Sequence, residues 1–344
     1  MTYIGYKTQE LPVNNQTDFK IKLQEDAANL DEVVVVGYGT MDKKELTSAV
    51  SHVSSKNFTQ VASVDPSMMI QGKVAGVSIT NTGAGDPNNQ ASIQVRGVSS
   101  RAAGLGPLIV IDGVPGGNLT NINPNDIESY DVLKDGAASA IYGTRGSNGV
   151  ILVTTKKGAR DGNLHTSYNG SIALDVIKKD LDMLSPDEYR ANRLASGTGY
   201  DLGGSTDWMK EVSRVGVRTV HTLTLSGGNI KSNYRASVDY RDAKGIDKYS
   251  GRQEYGARIS LNHTTNSGLI TFGLNIAPRV AYRKNATWDV FRNALEANPT
   301  TPIWDPQNPA LYYNFKGQPA DWNPIEQEKR RKDTCLLYTS DAAD

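Results

Sequence analysis

SNYRASVDYR, residues 232–241, alternates without a slip. Tyr234, Ala236, Val238 and Tyr240 fall on one face, and Arg235, Ser237, Asp239 and Arg241 fall on the other. Period-two alternation marks a strand whose faces meet different surroundings. EYGARISLN (254–262) repeats it, with Tyr255, Ala257, Ile259 and Leu261 opposite Glu254, Gly256, Arg258, Ser260 and Asn262. LITFGLNIAPRVAY (269–282) places Ile270, Phe272, Leu274, Ile276, Pro278, Val280 and Tyr282 together. HTSYNGSIAL and VHTLTLSGG are weaker members of the set. About five strands result, each near the roughly 9–11 residues that cross a bilayer at a tilt. A soluble antiparallel sheet alternates too, burying its apolar face. A membrane barrel turns its apolar face to lipid, rims it with aromatics and keeps polar groups inside. Alternation alone leaves both open.

Upstream, residues 61–158 form the most organised block. Asp65-Pro66 reads as cap and first residue of a short helix over SMMIQ. Short strands follow in AGVSIT, SIQVRG, PLIVIDG, YDVLKDG and GVILVTTKKG, joined by glycine turns, with a small Ala-rich helix in IESYDVLKDGAASAIYG. A compact α+β domain of ordinary size is expected. Before it, polar stretches flank LDEVVVVGYG (30–39). Such a valine run is either a strand buried in this chain's own sheet or an extended segment that adds an edge to a partner's sheet. In the second reading Gly37 and Gly39 end the strand, and Asp31 and Glu32 steer toward a basic partner. Residues 1–25 hold two further weak strands around a PVNNQTD turn, too little to be stable alone.

Composition narrows the function. Lys+Arg and Asp+Glu both number 37, so no basic surface is on offer and nucleic acid is not an expected partner. One cysteine (Cys335) and four scattered histidines give no disulfide framework and no metal-ligand spacing, so no metal and no cofactor are expected. There is no GxSxG elbow, and no enzymatic activity is expected. GTRGSNG lacks the order of a phosphate loop and reads as turn glycines. In the long inserts, LSPDEYR carries a capping box and TWDVFRNALEAN a helix. Trp288, Trp304 and Trp322 occupy the second insert. They suit loop packing, an interface belt, or stacking on sugar rings as a substrate loop.

QGKVAGVSIT, SIQVRGVSS, PLIVIDGVP, NPNDIESYDVLKDGAASAIYGTRGSNGVILVTTKKG and MLSPDEYR, taken in order behind LDEVVVVGYG, resemble a TonB-dependent outer-membrane transporter of the SusC/RagA type. The resemblance runs from residue 1 to about 334. It implies the end of a carboxypeptidase-regulatory-like β-sandwich at 1–25 and a linker at 26–40 with a TonB box at Asp31, Glu32, Val33, Val34, Val35 and Val36. It implies an α+β plug domain at 41–158, then the first strands of an antiparallel transmembrane β-barrel at 159–334, incomplete against a family barrel of about 22 strands. The implied activity is TonB-dependent import of a nutrient, foremost an oligosaccharide, across the outer membrane of a Gram-negative bacterium. Implied partners are TonB with its ExbB/ExbD energising complex, a SusD-like surface lipoprotein, an oligosaccharide or peptide substrate, and outer-membrane lipid. A siderophore- or cobalamin-type receptor and a soluble glycan-binding β protein are the alternatives. The family also implies plug arginines meeting barrel glutamates, here Arg96 and Arg145 with Glu254. No signal peptide opens the sequence, and CLLYTSDAAD (335–344) lacks a barrel pattern. A gene fragment ending in a non-native read-through tail is therefore expected, inactive as it stands.

Overall fold

The computed structural model describes residues 33–36, 39–42, 50–58, 65–83, 85–97, 106–134, 141–178, 183–286, 289–315, 323–330 and 334–343. The expected sandwich remnant at 1–25 lies outside the described residues.

The first half builds from short, glycine-bounded strands. β1 (Val33–Val36) and β2 (Gly39–Asp42) pair with each other alone. β3 (Val50–Ser54), β6 (Leu108–Ile111), β7 (Val114–Pro115), β8 (Ile127–Leu133) and β9 (Val150–Thr155) form a five-stranded sheet in the order β3-β8-β9-β6-β7, with only β6 and β9 parallel. β4 (Val77–Thr80) and β5 (Ser92–Val95) make a separate hairpin. β8 and β9 are apolar on both sides because both of their faces are covered. Ile127, Tyr130, Val132, Ile151 and Val153 pack on one side with Ile70 and Ile122, and Leu133, Val150 and Leu152 pack on the other with Val110. Burying each such side chain is worth roughly 1.5–3 kcal/mol. At the edge strand β3, His52 Nδ1 lies 2.6 Å from the buried Asp131 carboxylate.

Local signals decide the turns. Asp65 caps Ser67 N at 2.9 Å with Pro66 next, as its sequence requires, but the turn that follows (Pro66–Ile70) is 3-10. Asp112 and Gly113 both take positive φ, 47° and 89°, which a two-residue hairpin turn between β6 and β7 demands. The chain leaves this domain at Gly158, which lies flat against the neighbouring backbone. A Cβ there would stand 2.5 Å from Tyr234 N, so no larger residue fits the path.

The second half is a meander. β10 (His165–Asp175), β11 (Gly216–Gly228), β12 (Ser232–Lys244), β13 (Gly251–Thr264), β14 (Thr271–Lys284) and β15 (Thr334–Ala343) pair antiparallel in sequence order as an open sheet. The closing stretch CLLYTSDAAD, expected to lack a barrel pattern, lies within β15 up to Ala343, matched to β14 from Lys284↔Thr334 to Asn275↔Ala343. An unpaired edge accepts an extended segment through main-chain bonds, whatever its side-chain pattern. Connections at one end are short (229–231 and 265–270), whereas the other end carries the insertions 176–215 and 285–333.

The alternation ambiguity is resolved by which face is covered. Leu223, Leu225, Val238, Ile259, Leu261 and Ile276 are exposed on the outer face. Thr222, Thr224, Ser237, Asp239, Arg241, Arg252, Glu254 and Arg279 are buried on the inner face. A soluble sheet would bury the opposite set. An aromatic row, Tyr168, His221, Tyr240 and Tyr255, crosses four strands on the outer face, with ring centroids 5.0 to 6.4 Å apart. Along β14, ten residues separate the exposed Phe272 and Tyr282. At about 3.3 Å per residue and a tilt near 40° the band is about 25 Å tall, the thickness a lipid-facing surface requires.

Candidate functional site

The site is a polar seam between the inner face of the β11–β14 wall and one end of the five-stranded domain. It begins with residues whose strand period points them inward. Among the described residues, the strands β12 to β14 that carry Arg235, Arg241, Arg252, Arg258 and Arg279 bury two carboxylates beside them, Asp239 and Glu254. Arg279 grips Asp239 in a two-pronged pair at 2.9 and 3.0 Å. Arg241 reaches Asp239 at 3.5 Å and Glu254 at 3.4 Å, and Arg252 Nε donates to Glu254 at 2.8 Å. Gly256 lies beside this pair. A Cβ there would meet Asp239 Oδ1 at 2.5 Å and Arg279 at 2.6 Å, so absence of a side chain is a condition of the cluster.

Guanidinium charge exceeds carboxylate charge on these strands, and the five-stranded domain supplies further acids and carbonyls. Asp126, capped into a 3-10 turn at Pro124–Asp126, accepts from Arg235 at 3.0 Å and from Ser237 Oγ at 2.8 Å. Asp112, already accepting from Thr155 N and Oγ1 at 2.8 and 2.7 Å, stands 3.5 Å from Arg258. Asp86 is near enough to Arg252 to feel its charge, although burial dominates and raises its carboxyl above the usual range. Arg241 and Arg279 donate to the main-chain oxygens of Ile122 (3.2 Å) and Asn121 (3.0 Å). Asn123 Nδ2 donates to Thr222 Oγ1 at 2.9 Å. Lys156 donates to Asn125 O at 2.9 Å, and burial with Arg235 nearby lowers its pKa. Charged pairs in so dry a setting are strong only when every partner is present.

The expected ionic contacts come out with the opposite polarity. Glu254 is fully buried, but its partners are Arg241, Arg252 and Arg279, all on the sheet itself. Arg96 and Arg145 are exposed. The Arg96 backbone adopts φ 57° and its N–H donates to Gly76 O at 2.8 Å. The residues that make the seam, Asp112 and Asp126 against Arg258 and Arg235, were not singled out beforehand. The signal was present: every second residue of SNYRASVDYR faces inward, and Asp239 is as inward an acid as Glu254.

Val33–Val36 is extended, as its composition requires. It pairs with Gly39–Asp42 from Val33↔Asp42 to Val36↔Gly39 and joins neither large sheet. Asp31 and Glu32 lie outside the described residues, as do Trp288 and Trp322. Trp304 is half exposed and stacks on Tyr312 with centroids 4.4 Å apart, and the Lys329 ammonium lies 5.4 Å over its ring.

The insertions themselves are built elements. α1 (Pro186–Tyr189) opens with the expected capping box, Ser185 accepting from Glu188 N and Glu188 accepting from Ser185 N. α2 (Trp208–Val212), α3 (Asp289–Glu296) and α4 (Pro324–Arg330) share a small core of Trp208, Val212, Val290, Ala294, Phe315 and Ile325. The two insertions thus form one cap over the end of the sheet where they arise.

Comparison with known proteins bears on both halves. Residues 42–150 match the TonB-dependent Receptor Plug Domain family. The chain is 38% identical over 354 residues to the TonB-dependent receptor SusC of Bacteroides thetaiotaomicron, covering 99% of this chain and 34% of that one. It is 38% identical over 279 residues to the TonB-dependent receptor P3 of Formosa agariphila, covering 79% and 27%. The solved RagAB peptide importer in its open-open state aligns at 28% identity with a TM-score of 0.66, over 74% of this chain and 33% of that chain. The chain spans about a third of the length of these relatives.

Proposed function

We infer, from the premise that this chain is of the SusC/RagA type of TonB-dependent transporter, that its protein imports a nutrient across the outer membrane by moving a plug held in a barrel wall. The observation that carries this reading is the seam: a domain seated by charge on a wall whose opposite face is apolar and aromatic-rimmed. Charge-held surfaces can be parted and rejoined without exposing a large apolar area, which a movable plug requires.

Energy enters through Asp31–Val36 in this reading. β1 is paired only to its own neighbour, and a two-stranded sheet is marginally stable at best. TonB, energised by ExbB/ExbD, would take up the valines by strand addition and pull. The substrate class is an oligosaccharide, supported by the half-exposed Trp304–Tyr312 stack, which offers aromatic faces to sugar rings. A peptide is the second reading, supported by the likeness to the RagAB peptide importer. A SusD-like lipoprotein would cover the cap from outside.

The test is uptake by a deletion strain complemented with the full-length protein, offered labelled oligosaccharides and labelled oligopeptides in parallel. Val34→Pro removes a ladder donor and abolishes uptake of either class. Uptake that persists in Val34→Pro refutes the role of the valine strand.

A further inference from the structure

The hairpin β4–β5 is tied to the sheet at a further place, where the seam ends beside Asp86 and Arg252. Its loop 81–88 meets the six-residue connection between β12 and β13. Ile246 N donates to Gly85 O at 3.0 Å, and Asn88 Nδ2 donates to Lys284 O at 2.7 Å and to Gly251 O at 3.3 Å. The fit leaves no slack. A Cβ on Gly245 would stand 2.7 Å from Gly85 O and 2.8 Å from Pro87 Cδ, and a Cβ on Gly85 would run into the Ile246 side chain.

The same six residues are held from the other side by the cap. Arg214 N donates to Ile246 O at 2.7 Å, its Nε donates to Gly245 O at 2.9 Å, and a terminal nitrogen donates to Ser250 O at 2.6 Å. Lys248 N donates to Val212 O at 3.0 Å, and Ser213 bridges to Asp247. Val212 ends α2, whose Trp208 is locked edge-on against Phe315 at 5.4 Å with its indole N–H on Asn298 O at 3.2 Å. Ile246 therefore donates to the plug with its N–H and accepts from the cap with its C=O.

We propose that residues 245–250 are a relay: the plug loop 81–88 keeps its place only while the cap formed by the two long insertions is packed, so that whatever loosens or tightens the cap is felt at the plug. The contacts run from Phe315 to Trp208, from Val212 to Lys248, from Arg214 to Ile246, and from Ile246 to Gly85. A six-residue turn pinned on both sides has little room to absorb displacement at one side alone. The relay goes beyond the import reading and does not depend on it.

Hydrogen exchange on the full-length protein in outer-membrane vesicles reads this without any transport. Arg214→Met removes the guanidinium bonds to Gly245 and Ser250 and touches no plug residue. Exchange at 81–90 should rise at least tenfold in this variant, while exchange in β8 and β9 stays as in the wild type. Trp208→Ala, which loosens the cap core, should raise exchange at 81–90 as well as at 205–215. The proposal is overturned if either variant raises exchange at 205–215 or 245–250 and leaves 81–90 unchanged. Should Trp208→Ala fail to assemble, Arg214→Met decides alone.

Discussion

Removal of the Asp126 carboxylate tests the seam most directly. Asp126 and Arg235 retain 2% and 12% side-chain exposure, so the pair is nearly dry. In Asp126→Ala, Arg235 and Ser237 lose their acceptor, while Lys156 remains beside Arg235 as a second cation. Breaking a fully buried pair by deleting one partner costs about 3–5 kcal/mol. Arg235 keeps some water, so about 3 kcal/mol is the better figure, or roughly a 150-fold gain in the unseated state. Native-state hydrogen exchange of 119–128 reads that population. Arg235→Met in the same background removes the stranded charge and should recover most of the loss, since deleting both partners of a pair is far milder than deleting one. A coupling below about 0.5 kcal/mol in this double-mutant cycle would refute the claim that the seam is held by charge.

Further outcomes follow from other parts of the molecule. Gly256→Ala should split the Asp239–Arg279 pair and lower the yield of heat-modifiable folded barrel on gels, whereas Gly251→Ala, with its nearest neighbour 3.6 Å away, should not. Asp86 has its pKa raised by burial, so the folded state holds its proton more tightly than the unfolded state does. Stability of loop 81–90 should therefore fall as pH rises from about 3.8 through the folded value and stay reduced above it, and Asp86→Asn should abolish that slope in exchange measured against pH. Under the oligosaccharide reading, Trp304→Ala should weaken retention on affinity electrophoresis in an oligosaccharide gel and leave the thermal midpoint of the folded barrel unchanged, because Trp304 is half exposed and outside the cap core.

Much of this could be read in advance, and the reason is local. Alternation fixes which residues share a face, so the set 235, 237, 239 and 241 follows from SNYRASVDYR alone, whereas that this set faces inward follows from burial. Asp65, Ser185 and Glu188 cap their turns because the rule involves neighbours within three residues. What escaped is long range. Whether an inward arginine meets an acid of its own sheet or of the plug depends on docking, and so the polarity of the pairs was inverted. Charge at Arg96 is visible in the sequence, and its positive φ is not. Residues 335–344 lack a barrel pattern in the sequence, yet an open edge imposes strand geometry on them as far as Ala343.

Gly158 carries a mechanical consequence. The chain passes from plug to wall pressed against Tyr234, at the end of the sheet where the connections are short. That corner cannot drift while β12 stays in place. In the proposed import reading, a pull delivered through Val33–Val36 would act on a hinged body rather than a stopper. Its expected outcome is a rotation about residue 158 whose lever arm would be the width of the five-stranded sheet, with the opening widest on the side away from β12.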